Sequence, residues 1–146
     1  MLRDVNPTSR STFQVTQTTG FYPRPRVDTA KVPAVGQAGG VLLTQTVRAA
    51  GLDVALSAAL TRWRKPLAVH DPGKIMLDLA LSLALGGDAL ADVGVLRGEP
   101  GVYGRVASDP TISRTITALA KDAGAALAAI DTARATGAGA GVGVGR

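Results

Sequence analysis

Residues 106–121 read VASDPTISRTITALAK, a helix start and a helix stripe in one run. Ser108 or Asp109 suits the N-cap, where a side-chain oxygen accepts from the free N–H groups of the first turn. Pro110 suits that turn because its missing N–H is not needed there. Downstream, Ile112, Ile116, Leu119, Ala123, Leu127 and Ile130 recur every three or four residues, which predicts a buried stripe. Arg114, Thr117 and Lys121 fall on a different face. The stretch is therefore expected to be an amphipathic helix set into a helical body.

Working outward, the rest of the chain is consistent with that body. Gly98, Pro100, Gly101 and Gly104 make a flexible connection, with a single helical turn expected around Val102–Val106. Before it, Leu90, Val93 and Leu96 have helical spacing, and Asp88 is the expected cap of a helix through about Arg97. A further helix is predicted from about Gly73 to Leu85, stopped by Gly86 and Gly87. Its apolar run, Ile75–Leu85, is interrupted by Asp78 and Ser82 and is shorter than the roughly 20 residues a bilayer span needs. It reads as a buried helix, and no membrane partner is expected. Gln37–Ala49 predicts a first helix with Gly51 at its end. Asp53 is expected to cap a second helix that buries Val54, Leu56 and Leu60 and ends in Arg62, Trp63, Arg64 and Lys65 before Pro66.

These elements predict a mainly α protein, a small multi-helix bundle with a helix-turn-helix-like unit, over residues 36–135. Residues 1–35 are broken by Pro7, Gly20, Pro23, Pro25 and Pro33 and are expected to form an extended basic arm. Within it Ser11–Thr19, where Phe13 and Val15 alternate with polar residues, is a candidate short strand. Residues 136–146 read as a disordered Gly-rich tail, since Gly137–Gly145 alternates Gly with Ala or Val.

Composition narrows the chemistry. Apolar residues make up 46% of the 146, but aromatics only 3%, so aliphatic side chains must form the core. Absence of cysteine excludes a disulfide framework, a thiol nucleophile and Cys-ligated zinc. One histidine excludes a His-rich metal site. His70 beside Asp71 has no nucleophile or second carboxylate near it in sequence and reads as a loop residue without a catalytic role. The acids Asp78, Asp88, Asp92 and Glu99 read as caps and surface charges. Net charge is +5 and uneven: residues 1–74 hold ten Lys or Arg against four acids, residues 75–146 six against seven. A basic balance points to a polyanionic partner.

A helix that reads DNA needs one face anchored and its first turns exposed, with free N–H groups available to a phosphate. The 108–114 pattern meets these conditions. Ser108 caps, Ile112 anchors, and Thr111, Ser113 and Arg114 face outward, with Thr117 and Lys121 further along. Two more basic groups are candidates for DNA contact. Arg62, Arg64 and Lys65 surround Trp63; the alternative reading is a helix C-terminus complementing its own dipole, with the indole packed inward. Arg24 and Arg26, with Arg3, Arg10 and Lys31, belong either to a solvated, partly disordered terminus or to a phosphate-tracking arm.

Three places carry a family resemblance: Gly39-Gly40-Val41-Leu42-Leu43 entering a helix, Gly86-Gly87-Asp88-Ala89-Leu90-Ala91-Asp92 before Leu96-Arg97, and Val106-Ala107-Ser108-Asp109-Pro110-Thr111-Ile112-Ser113-Arg114. From about Val27 to Ala135 the chain resembles the N-terminal region of bacterial DDE-type insertion-sequence transposases, DDE group 1. The resemblance implies binding of double-stranded DNA at terminal inverted repeats, in the bacterial cytoplasm with the nucleoid, by a chain that can form a homo-oligomer. It also implies that cleavage and joining belong to a following ribonuclease-H-like domain, in which three carboxylates hold two divalent metal ions. No residue here is assigned to that set. No cofactor and no catalysis of its own are expected, and the Gly-rich tail suggests a frameshift near Thr136. The alternative function is a helical dimerisation or inhibitory module without direct DNA reading, motivated by the Ala-rich stripe through Ile130.

Overall fold

The computed structural model describes residues 20–24 and 38–140. Seven helices and no strand are found among them: α1 (Ala38–Ala49), α2 (Leu52–Ala59), α3 (Pro72–Ala84), α4 (Val93–Arg97), α5 (Pro100–Tyr103), α6 (Asp109–Ala120) and α7 (Ala123–Ala140). Short 3-10 turns at Thr61–Trp63 and Leu90–Asp92 link them. The mainly helical expectation is met. The candidate strand Ser11–Thr19 and most of the basic arm lie outside the described residues.

α2 is central and packs against both α3 and α7. Leu56 of α2 and Leu60 just after it are buried with Ile75, Leu77 and Leu81 of α3, Val93 and Leu96 of α4, and Ile112 and Leu119 of α6. The α2–α3 crossing depends on Gly73: a Cβ there would lie 2.7 Å from the Leu56 carbonyl carbon and the Ser57 nitrogen. Asp71 starts α3, accepting from the Gly73 N–H at 2.7 Å and from the Ser57 hydroxyl at 2.7 Å. That single carboxylate caps one helix and ties it to the other.

Several sequence expectations are corrected. Asp53 is not a cap; Gly51 takes that position in the left-handed conformation, at φ 66°, and Asp53 is buried in the first turn of α2. Val54, expected in the core, is 66% exposed because the helix turns that face to solvent. Asp88 does not cap α4. Instead Asp92 reaches back to the Asp88 and Ala89 N–H groups, both at 2.8 Å, and a 3-10 turn precedes the helix. The single turn expected at Val102–Val106 lies at Pro100–Tyr103.

The predicted stripe does not run unbroken to Ile130. The helix stops at Ala120, and α7 begins afresh at Ala123, so the periodicity is not carried across Lys121 and Asp122. Ile112 and Leu119 are buried as expected, whereas Ile116 is 39% and Leu127 63% exposed. α7 packs through its small residues, Ala126 and Ala133, which let helix backbones approach closely. The same logic extends into the expected tail. Gly137 is buried within α7, and a Cβ there would sit 3.3 Å from the Ala50 carbonyl oxygen. Residues 137–140 are therefore helical; 141–146 lie outside the described residues.

Candidate nucleic-acid interface

α6 is fixed at three points. Ile112 and Leu119 sink into the core. At its start, Arg97 of α4 donates from Nε to the Ala107 carbonyl at 3.0 Å and pairs with Asp109. Ser108 has the extended backbone of an N-cap, φ −71° and ψ 156°, but its hydroxyl lies 3.1 Å from the Thr111 hydroxyl rather than on the helix N–H groups. The element just before α6 is the four-residue α5, so the first helix of a helix-turn-helix pair has no full-length counterpart immediately ahead of it.

The outward face of α6 carries the residues expected there. Ser108, Ser113, Arg114, Thr117 and Lys121 are exposed, and Thr111 is half-buried. Among the described residues the hydrogen bond of Arg114 is a 3.4 Å approach to the Thr111 hydroxyl. Among the described residues no carboxylate pairs with Arg114 or Lys121. Lys121 follows Arg114 by two helical turns and lies on the same side.

The second predicted basic group meets the first. Arg62 ion-pairs with Asp122, which joins the Thr61–Trp63 turn to the α6–α7 junction beside Lys121. Trp63 is half-buried against the core, and the Arg62 guanidinium lies 4.4 Å from the centre of its ring. The inward indole and an exposed cation therefore coexist. Arg64 pairs with Asp71 at 3.4 Å, and exposed Lys65 has no carboxylate partner among the described residues. Arg24 is exposed, but no hydrogen bond or ion pair among the described residues joins it to this group. Arg26 lies outside the described residues.

A buried polar cluster went unseen in the sequence. Asp78, read there as a cap or surface charge, is 2% exposed. Lys74 donates to its two oxygens at 2.8 and 2.7 Å, and the Tyr22 hydroxyl donates to it at 2.9 Å. Lys74 Nζ also sits 4.7 Å from the centre of the Tyr22 ring. Burial drives the Tyr22 hydroxyl far above its ordinary value, and the Asp78 charge adds to that. Burial also pushes the Asp78 carboxyl up and the Lys74 ammonium down, while their attraction opposes both shifts. Arg48 fastens the same segment by donating to the carbonyls of Tyr22 and Pro23. The i, i+4 spacing of Lys74 and Asp78 was the signal available in the sequence.

Acid–base or metal chemistry finds little here. Burial, then the nearby Arg105 and Lys74 charges, hold the His70 imidazole below its ordinary value, and the Asp71 carboxylate is engaged by α3 and Ser57. Among the described residues no group of three or more His, Asp or Glu side chains could hold a metal ion. The described residues thus do not fit a two-metal carboxylate centre. No helix among the described residues is long and apolar enough to cross a membrane.

Residues 21–137 match the family model described as transposase DDE domain group 1. The match covers α1 to α6 and α7 as far as Gly137, so the bundle is itself part of what that model describes. No curated protein and no solved structure matches the chain.

Proposed function

Since the chain belongs to transposase DDE domain group 1, we propose that its helical body binds duplex DNA at the terminal inverted repeats of a mobile element. The observation that carries this reading is the outer face of α6. Arg114 and Lys121 are exposed and free of carboxylates among the described residues, on a helix held from behind by Ile112 and Leu119. An arginine in that setting can bond the two acceptor atoms of a guanine edge, and the hydroxyls of Ser113 and Thr117 suit bases or phosphates. Lys121, Arg62 and Lys65 extend the positive surface along a phosphate backbone. The bundle supplies recognition rather than strand cleavage, and a divalent metal belongs with carboxylates other than those described.

A gel-shift titration against an element end, repeated at several salt concentrations, tests this. Each phosphate contact steepens the fall of log affinity with log salt by about 0.9. Lys121→Ala is expected to weaken binding to all sequences alike and flatten the slope by about one contact. Absence of retardation at low salt, or binding indifferent to salt, would end the proposal. A second reading, a self-associating module, is favoured by Leu127, exposed on α7. Sedimentation without DNA separates the two.

A further inference from the structure

The loop between the Thr61–Trp63 turn and α3 presents a leucine that the fold does not use. Leu67 is 101% exposed, so it packs against nothing. Its backbone is also unfavourable, with φ 60°, the one non-glycine residue in that region among the described residues. The Ala68 N–H donates to the Lys65 carbonyl at 3.1 Å, closing a turn over 65–68. Proline second and a positive φ third is the type II pattern, in which glycine or asparagine normally takes the third place. Burial gives no reason for leucine there, and backbone preference argues against it. Strain of this kind points to a use outside the fold.

The surroundings say what that use is. Val69, two residues on, is also 68% exposed, so the loop has an apolar tip. Cations flank it. Lys65 is exposed and without a carboxylate among the described residues, and Arg64 braces the loop through Asp71 and a 3.5 Å reach to the Ala68 carbonyl. Arg62, paired with Asp122, lies just upstream, and the Arg105 charge is close enough to act on the His70 imidazole. The nearest acid in sequence, Asp71, is committed to the α3 N-terminus and to Arg64. An apolar tip whose nearest acid is neutralised, with the unpaired Lys65 beside it, complements a polyanion whose interior is apolar.

We propose that Leu67 is a wedge that enters duplex DNA between adjacent base pairs, with Lys65 on a flanking phosphate and Arg64 bracing the loop from behind. Apolar side chains used in this way partly unstack a base step and kink the duplex. Pro66 fixes the turn, so the leucine is held in place before contact rather than ordered by it. The inference rests on the DNA-binding reading and adds to it a mode of contact separate from α6.

The test uses the full chain and a mixed-sequence duplex with a central TA step, a flexible step that kinks easily, carrying 2-aminopurine at its adenine. Wild-type protein is expected to raise 2-aminopurine emission as it binds. Leu67→Gly suits the positive φ, so its melting temperature should be equal or higher. It should bind about tenfold more weakly and leave emission at the free-duplex level. Lys65→Ala should weaken binding yet retain the rise in emission. If wild type and Leu67→Gly bind with the same affinity and the same emission, the wedge is wrong while DNA binding stands. A wild-type complex with no emission change, or a Leu67→Gly variant that loses self-association instead of DNA affinity, also overturns it. If wild type binds no duplex at any salt concentration, both proposals fall together.

Discussion

Lys74 on α3 and Arg114 on α6 carry the same charge into opposite circumstances. Lys74 is buried, and its ammonium is held by both oxygens of Asp78 beneath the ring of Tyr22. Arg114 stands in water with a hydroxyl at 3.4 Å. One region has paired its polar groups with one another and has nothing to offer a ligand. The other leaves charge unpaired on a helix whose far side is rigidly packed. Charge alone does not mark a binding surface; charge without an internal partner, on an anchored element, does.

The largest expected effect breaks the first region. Asp78→Ala leaves a buried ammonium and a tyrosine hydroxyl without their acceptor. Removing one member of a buried ion pair costs about 3–5 kcal/mol. Urea denaturation should show that loss, while the DNA affinity of the molecules that remain folded stays unchanged. A cost below about 1 kcal/mol, the range of solvent-exposed pairs, would mean the cluster is not the sealed unit described.

Arg114→Ala makes the reciprocal test. Stability should move by no more than about 0.5 kcal/mol, as for an exposed side chain with no structural partner. Affinity for an element end should fall by about 1–3 kcal/mol, with sequence discrimination relaxed at one position. Both quantities are read from one preparation, by melting and by gel shift. Large unfolding in this variant would move Arg114 from the second region into the first.

How far these two regions were legible in the sequence differs in an instructive way. The α6 face was readable because it rests on local spacing: the cap position at Ser108, Ile112 and Leu119 inward, Arg114 and Lys121 outward. Its length was misread because a period says nothing about where a chain bends, and the break at Lys121–Asp122 contains neither glycine nor proline. The buried cluster was hidden because it joins Tyr22 to residues more than fifty positions away. Asp78 looked like a surface acid when its partners were unknown. Gly137 was misread for a related reason. A Gly-Ala run has the composition of a flexible tail, yet small residues are also what close helix packing requires, and the Ala50 carbonyl and Leu52 that select between the two lie on other elements. Leu67 lay in a loop whose backbone conformation no side-chain pattern reveals.

A smaller effect sharpens the comparison where the regions meet. Arg62 and Asp122 form an ion pair with both side chains largely in solvent, a class worth about 0–1 kcal/mol. Asp122→Ala should therefore change stability little. It removes a negative charge beside Lys121 and frees Arg62, so DNA affinity should rise modestly, with a steeper salt slope in the gel shift. Reduced affinity would show that the pair is needed to position Arg62, and that the α6–α7 junction belongs with the structural half of the molecule.

The smallest effect concerns an acid that lies in neither group. Asp92 accepts the Asp88 and Ala89 N–H groups, and these bonds hold its carboxyl below the ordinary 3.8. A carboxyl depressed in the folded chain stabilises it above the ordinary value, and the contribution disappears as pH falls through the folded value. Below that point a proton competes for the oxygen the two amides use. The Leu90–Asp92 turn should loosen first, so hydrogen exchange at Asp88 and Ala89 is expected to quicken relative to α4. Asp92→Asn keeps an amide oxygen as acceptor but cannot ionise, so exchange at these sites should lose its acid dependence. An unchanged acid dependence in that variant would assign the titration to another group. The Tyr22–Asp78–Lys74 cluster would then be the first to examine, since it is the place where protons and packing are most tightly linked.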